Sequence, residues 1–238
     1  MLHQEEHRQI TRLRRKRERD YRVQSILEAA RKVFFARGYM KATMEEIATL
    51  AEVSKPAIYH YFRTKDELFF SLMVPVVDHF QKELNLIEKR LLRHAYKQGQ
   101  ELVSDLFRGF FRAYKKDPDG FQVVQLFQQT GMVGQLEERV GQILDQKGAQ
   151  AFRTARRIMS MGMDQGLLKP MSVFSLADAF WGFFVGVVQL ERIKSKKAGL
   201  PAHLRSTLLT AEKIFGRGVT RGENPWSKPQ GRACEGNG

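Results

Sequence analysis

Cysteine is almost absent from this sequence. Among its 238 residues the single cysteine is Cys234, in a polar stretch near the C-terminus. One thiol provides neither an internal disulfide nor the Cys-x-x-Cys pairs of structural zinc sites. The sequence therefore predicts a protein of a reducing compartment, and we expect the cytoplasm.

Acidic residues are also scarce, with 26 Asp and Glu against 40 Lys and Arg, which gives a formal net charge of +14. Lysine and arginine side chains that neutralise phosphates release condensed counterions, so a surplus of this size favours a polyanionic partner. Double-stranded DNA fits this requirement, and an acidic membrane surface is the competing interpretation.

Long hydrophobic runs are missing. The most hydrophobic window, residues 176–190, contains Asp178 and is shorter than the ~20 apolar residues that a spanning helix needs. The N-terminus is charged from Glu5 onward, unlike a secretory signal. The sequence therefore predicts a buried helix at 176–190 and neither a membrane anchor nor a signal.

Alternation of apolar and polar residues, the mark of strands, is lacking as well. Helical periodicity instead predicts an all-α fold, with a small N-terminal domain of three helices and a larger C-terminal helical domain. We expect a basic, flexible arm at 1–20, the first domain at 21–70, the second at 71–218 and a disordered tail at 219–238. Pro75 lies in a long helical pattern and predicts a kink, a break or a hinge.

Two short, capped helices stand out in residues 43–63. Thr43 and Glu46 form a capping box ahead of an apolar face that includes Ile47. Ser54 then precedes Lys55-Pro56, and proline is tolerated in the first turn of a helix. The pattern predicts a helix, a tight turn and a second helix, the arrangement of a helix-turn-helix DNA reader.

The run from Ile26 to Leu68 resembles the DNA-binding domain of the TetR family of bacterial transcriptional regulators. The resemblance rests on Phe35-Ala36-Arg37-Gly38-Tyr39, Thr43, Ile47-Ala48, Val53-Ser54, Tyr59-His60-Tyr61-Phe62 and Lys65-Asp66-Glu67-Leu68. It implies a homodimer that binds a palindromic DNA operator and a small apolar or amphipathic effector. Glu52 departs from the family, which favours glycine there because the backbone tends towards positive φ.

The second short helix is the predicted reading helix. Its N-terminal end and outer face are expected to enter the major groove, and the N-termini of flanking helices attract phosphates. The resemblance places DNA contacts at Lys55, Pro56, Ala57, Tyr59 and His60, and the helix N-termini place phosphate contacts at Thr43 and Lys65.

The basic run before the reader has two interpretations. Arg14, Arg15 and Arg17 belong either to a solvated leader or to an arm that enters the minor groove beside the reading helix.

Aromatic and methionine side chains are frequent in the second domain, where they form either plain core or the wall of an adaptable pocket. The resemblance favours a pocket for the domain, and the candidate wall residues are Phe107, Phe110, Phe111, Phe127, Met159, Met163 and Trp181.

Gly182 and Gly186, four residues apart, allow a second helix to approach closely. In the resembled family the last two helices form the dimer interface, which makes Phe180, Gly182, Phe184, Gly186 and Val187 candidates; internal packing is the rival.

Catalysis finds little support in the sequence. His79 and Glu83 have metal-ligand spacing but no third partner, and no phosphate loop or activated nucleophile is recognisable. We expect neither a catalytic site nor a cofactor. A ligand-released repressor is the leading hypothesis, with an activator or ligand-independent regulator as the alternative and a membrane-surface protein less favoured.

Overall fold

The computed structural model describes residues 2–130, 136–195 and 201–221. Within these ranges the chain forms helices and no strand, so the predicted all-α class is confirmed. The helices are α1 (Leu2–Lys41), α2 (Met44–Leu50), α3 (Lys55–Tyr61), α4 (Lys65–Leu92), α5 (Gly99–Lys116), α6 (Pro118–Thr130), α7 (Glu138–Asp164), α8 (Val173–Lys194) and α9 (Leu204–Val219). Residues 222–238 of the predicted disordered tail lie outside the described residues.

The two short helices begin where their caps predict. The Thr43 hydroxyl accepts from the Glu46 N–H at 3.2 Å, and the Glu46 carboxylate accepts from the Thr43 N–H at 3.2 Å. The Ser54 hydroxyl accepts from the Ala57 N–H at 3.3 Å, with Pro56 in the first turn of α3. Helices of this length are marginal alone, so these caps define their limits.

The first helix is longer than the sequence predicts. α1 extends back to Leu2, so the segment expected as a flexible arm is helical in the described residues. Apolar periodicity misses such a helix because the side chains described from Arg8 to Tyr21 include no buried one. Near the other end, Gly38 has φ 72° and ψ 163°, and this interrupts the helical geometry before Lys41.

Two prolines have different effects. Pro75 lies inside α4, which continues through it to Leu92, so the helix is not broken into two at this point. Pro118 begins α6 directly after Asp117, whose carboxylate accepts from the Gly120 N–H at 2.8 Å. Only residue 117 therefore separates α5 from α6, and proline in the first turn is compatible with the helix start.

The chain divides into two compact units. Their boundaries differ from those of the predicted domains, because long helices are divided between the two units. The first unit comprises Met1–Glu83 and Phe110–Arg153, and the second comprises Leu84–Gly109 and Thr154–Gly238. The domain boundary at residue 70 stays a prediction.

Aromatic contacts hold the core of each unit. In the first, Phe34 and Phe69 meet edge to face at 5.3 Å, and Phe69 lies 5.7 Å from Phe127. In the second, Phe107 and Phe180 meet edge to face at 5.0 Å. Such pairs stabilise beyond the area that they bury.

The apolar helix α8 differs from its prediction as a buried helix. Its length and composition would allow it to cross a membrane, and only 28% of its apolar window is buried within the chain. Phe174, Leu190 and Ile193 are 61%, 50% and 81% exposed. α8 therefore contributes one face to the core and presents another, largely apolar, face outside the subunit.

Candidate nucleic-acid interface

The packing of α1, α2 and α3 fixes the orientation of the predicted reading helix. Ile47 of α2 and Ile58 of α3 are fully buried, as is Ile26 of α1. Each fully buried side chain of this size contributes about 1.5–3 kcal/mol relative to an exposed one. The three helices therefore form a small core that holds α3 by its inner side and leaves its outer side free.

The turn between α2 and α3 has the backbone that the resemblance implies. Glu52 adopts φ 55°, in the left-handed region that favours glycine. The Val53 N–H donates to the Ala48 carbonyl at 3.0 Å and closes the turn. The glutamate thus occupies a strained position without altering the course of the chain.

The outer side of α3 brings together most of the predicted DNA contacts. Lys55, Pro56, Tyr59 and His60 are exposed, and Ala57 is half-buried. The His60 and Tyr61 rings meet edge to face at 5.4 Å. This surface offers a cation, hydroxyl and imidazole donors, and apolar carbon, which suit phosphates, base edges and thymine methyl groups.

The cation at the start of α3 already has a partner. The Lys55 ammonium lies 2.6 Å from the Glu45 carboxylate of α2. The hydrogen bond between them raises the pKa of Lys55 and lowers the pKa of Glu45. Both groups are exposed, so the pair adds little stability and remains open to exchange with a phosphate.

Thr43 is exposed at the N-terminus of α2, where its hydroxyl accepts the capping hydrogen bond. A hydroxyl that accepts still has its own proton to donate. The cap is therefore compatible with the predicted phosphate contact.

Lys65 has a different environment from the other predicted contacts. Its ammonium donates to the carbonyls of Tyr39 at 2.8 Å and Ala42 at 3.1 Å, and lies 4.4 Å from the centre of the Tyr39 ring. Burial lowers its pKa. The structure therefore places this cation within the reader fold, where it satisfies carbonyls at the end of α1. Sequence reasoning misses this role, because the partners lie 23 and 26 residues away.

The predicted minor-groove arm needs a correction. Arg14, Arg15 and Arg17 lie within helix α1. An α-helix with side chains is ~10–12 Å wide, whereas the minor groove of B-DNA is only ~6 Å wide. In this conformation the segment does not fit a minor groove. Arg14 also pairs with Glu18 at 3.0 Å.

The predicted ligand-wall residues divide between the two units. Phe110, Phe111 and Phe127 belong to the first, and Phe107, Met159, Met163 and Trp181 to the second. Phe107, Phe110, Phe127 and Met159 are buried, and Phe111, Met163 and Trp181 are half-buried. Core packing explains the buried positions, and the pocket stays a prediction.

The predicted dimer residues also divide into two groups. Phe180 and Phe184 are 1% and 0% exposed inside their own subunit, which corrects their assignment from interface to core. Gly182 and Gly186 are exposed, with open space beyond their own helix backbone where a Cβ would lie, and Val187 is half-buried. Leu190 and Ile193, further along α8, are also exposed. Ile193 lies seven residues after Gly186, and this helical spacing is the sequence signal that could have placed it on the same face.

Comparison with known proteins places this geometry in a family. A family model described as bacterial regulatory proteins, tetR family, matches residues 26–72, which include α2, α3 and the start of α4. The chain is 35% identical over 108 residues, 44% of its length, to the transcriptional activator FasR of Mycolicibacterium smegmatis. It is 28% identical over 145 residues, 61% of its length, to the transcriptional repressor NicS of Pseudomonas putida. These matches span 46% of FasR and 65% of NicS.

The fold extends beyond the reader. The crystal structure of AibR in complex with isovaleryl coenzyme A and operator DNA matches with a TM-score of 0.56 and 20% identity, covering 82% of this chain and 97% of AibR. The helix-turn-helix built on these residues is thus similar to the reader of bacterial regulatory proteins of the tetR family, and the helical remainder shares the fold of AibR.

Proposed function

We propose that the chain is a sequence-specific DNA-binding transcriptional regulator that acts as a homodimer in the cytoplasm. The observation that carries the proposal is the capped α2-turn-α3 unit, which holds Ile58 in the core and presents Lys55, Tyr59 and His60 outward. A helix that is fixed on one side and bears donors on the other is the arrangement that reads a major groove.

The apolar outer face of α8 supports the dimer. Exposed Phe183, Leu190 and Ile193 lie on α8, and Leu209 and Ile214 on α9 are 48% and 60% exposed. Large exposed apolar patches mark interaction sites, and a second copy covers this one symmetrically. Two reading helices then contact half-sites one turn, ~34 Å, apart on a palindromic operator.

The regulator is proposed to be a repressor that a small apolar or amphipathic ligand releases from DNA. NicS is named a repressor and AibR binds isovaleryl coenzyme A, an amphipathic acyl thioester. FasR is named an activator, so activation is the alternative sign of regulation. In either case the ligand shifts the equilibrium only by its difference in affinity between the DNA-bound and released conformations.

Contacts within the first unit suggest how such a shift reaches the reader. Arg31 of α1 forms an ion pair with Asp117 at 2.6 Å, and the same carboxyl group caps α6. Asp66 at the start of α4 accepts from the Tyr39 hydroxyl and from the Glu137 N–H ahead of α7. These contacts connect α6 to α1, and the segment ahead of α7 to the start of α4, so a movement of α6 or α7 can reach the reader.

The test is selection of DNA by the full chain from a random duplex pool, followed by anisotropy titration of the selected duplex. The double variant Lys55→Ala with Tyr59→Ala is expected to weaken binding by about 30-fold or more, since each specific contact contributes about 1–3 kcal/mol. The matched control, Lys89→Ala with Leu86→Ala, removes one cation and one large side chain from exposed positions on α4 and should bind normally. Failure to enrich any sequence would refute the proposal.

A further inference from the structure

Arginines recur with helical periodicity in the N-terminal half of α1. Arg8, Arg12, Arg15, Arg19 and Arg22 follow one another at steps of four, three, four and three residues. At 3.6 residues per turn these positions share one helix face. All five are exposed, and together they are called the arginine stripe.

The arginine stripe lies in phase with the buried face of the same helix. The next positions in the series are Ile26, Ala29, Ala30 and Val33, which are buried in a helix that packs on α2 and α6. The face that packs on α2 in the second half of α1 thus carries arginines in the first half. The stripe therefore points to the side of α1 on which the reader lies.

An open groove connects the stripe to the reading helix. Arg15, Arg19 and Arg22 line one side of it, and His60 and Tyr61 of α3 line the other. The acidic side chain in this lining is Glu18, which is held by Arg14 at 3.0 Å. The groove is thus a positively charged continuation of the surface that bears Tyr59 and His60.

The stripe has an energetic cost in the free protein. Like charges three and four residues apart repel and destabilise a helix, and here they follow one another without an acid in the series. A polyanion that lies along the stripe removes this repulsion and releases counterions. The charge pattern therefore favours a partner with regularly spaced negative charges.

We propose that the arginine stripe binds backbone phosphates of the same DNA duplex that α3 reads, alongside the operator contacts and outside the minor groove. The inference rests on the proposed function and extends its footprint. From Arg8 to Arg22 the helix rises ~21 Å, which corresponds to about six base pairs of duplex.

A membrane surface fits the stripe less well than DNA does. An interfacial helix needs a continuous apolar face beside its basic face. In α1 the exposed apolar side chains Ile10, Leu13 and Tyr21 share their face with Arg14 and Arg17, which interrupts it. His60 and Tyr61 of α3 also line the same groove as the stripe, which connects the stripe to the DNA reader.

The test compares two charge-matched variants of the full chain. Arg15→Ala with Arg19→Ala removes two stripe cations, and Arg14→Ala with Arg17→Ala removes two cations from the opposite face. Alanine is the best helix former, so both variants keep α1, which circular dichroism checks. Each is titrated by anisotropy against the selected duplex and a random-sequence duplex, in KCl from about 50 to 200 mM.

The stripe variant is expected to reduce the magnitude of the negative slope of log K against log salt. The expected reduction is about 1.8 for each bound subunit, or about 0.9 for each lost phosphate. The loss should be similar on both duplexes, so the ratio of specific to random binding stays unchanged. The opposite-face variant should keep the wild-type slope. Trimming the about six flanking base pairs that the whole stripe spans should reduce the magnitude of the wild-type slope by at least as much as the stripe variant does.

Equal slopes for the two variants would overturn the inference and leave the proposed function intact. An unchanged DNA slope with lost binding to phosphatidylcholine–phosphatidylglycerol vesicles would assign the stripe to a lipid surface instead. If the wild type enriches no sequence, the proposed function fails, and the salt slopes on random duplex still decide whether the stripe binds phosphates.

Discussion

Helices α3 and α8 each present one exposed face, and the two faces differ in the chemistry of their exposed side chains. α3 spans Lys55–Tyr61, buries Ile58 and exposes a lysine, a tyrosine and a histidine. α8 spans Val173–Lys194, buries Phe180 and Phe184 and exposes phenylalanine, leucine and isoleucine side chains. The chemistry of an exposed face indicates its partner: donors and cations suit a wet, charged duplex, and apolar carbon suits a second protein surface.

The difference also shows how each face is specified. Caps, a proline and a strained turn define α3, and these are local signals that a few residues carry. α8 also begins at a cap, where the Ser172 hydroxyl accepts from the Ser175 N–H, but its apolar content does not say which face of the helix is covered by its own subunit. A polar reading face is thus recognisable from a motif, whereas an apolar face needs a structure.

The largest effect is expected from disrupting the apolar face. Gly186→Arg places a cation on exposed α8 where the subunit has open space, so the fold should persist while the dimer is lost. Losing the second reading helix should weaken operator binding by about 100-fold or more. Analytical ultracentrifugation and anisotropy measure the two effects.

The matched control is Gly148→Arg on α7, which makes the same change at a helical glycine with open space around it. This variant should remain a dimer. If both variants behave alike, the dimer does not use the α8 face.

A smaller effect is expected from alanine variants of two lysines, Lys55 at the start of α3 and Lys65 at the start of α4. Lys65→Ala removes donors to the Tyr39 and Ala42 carbonyls and should lower the free energy of unfolding by about 1–2 kcal/mol. Lys55→Ala removes an exposed cation and should leave stability nearly unchanged, while lowering the salt slope of DNA binding by about one per subunit. Thermal melting and anisotropy distinguish them.

The opposite pattern, a stable Lys65→Ala variant with a lowered salt slope, would restore Lys65 to the phosphate contacts that the sequence predicts. It would also mean that the polar face extends past the end of α3.

The smallest effect concerns the turn that orients α3. Glu52→Gly relieves a side chain at φ 55° and should stabilise the protein by about 0.5–1 kcal/mol. Glu52→Ala removes the same charge but keeps the backbone restriction, so it should change stability little. Thermal melting compares them, and equal stabilisation by both would attribute the effect to charge.

Much of the reader was predictable because its signals are local. Thr43, Glu46, Ser54 and Pro56 fix the starts of α2 and α3, and the structure confirms both. The positive φ at Glu52 follows from a family preference for glycine and is confirmed as well.

Other features depend on contacts that no short pattern encodes. Lys65 carries a charge that sequence reasoning assigns to DNA, and only the fold brings it to the carbonyls at the end of α1. Sequence reasoning misses the helical N-terminal extension because none of its side chains described from Arg8 to Tyr21 is buried, although the arginine spacing has the helical period. The assignment of Phe180 and Phe184 to the interface was wrong because a glycine spacing does not reveal which neighbouring aromatics face inward.

α1 is one continuous helix from Leu2 to its interruption at Gly38. The direction in which Arg22 points about the helix axis is therefore fixed relative to Ile26. Inserting a single residue between them would turn every arginine of the stripe by ~100° and point it away from the reader. Inserting seven would turn it by only ~20°. The length of this segment is therefore constrained by angle and not by reach, so natural length variants that keep the stripe in use should differ by whole pairs of turns.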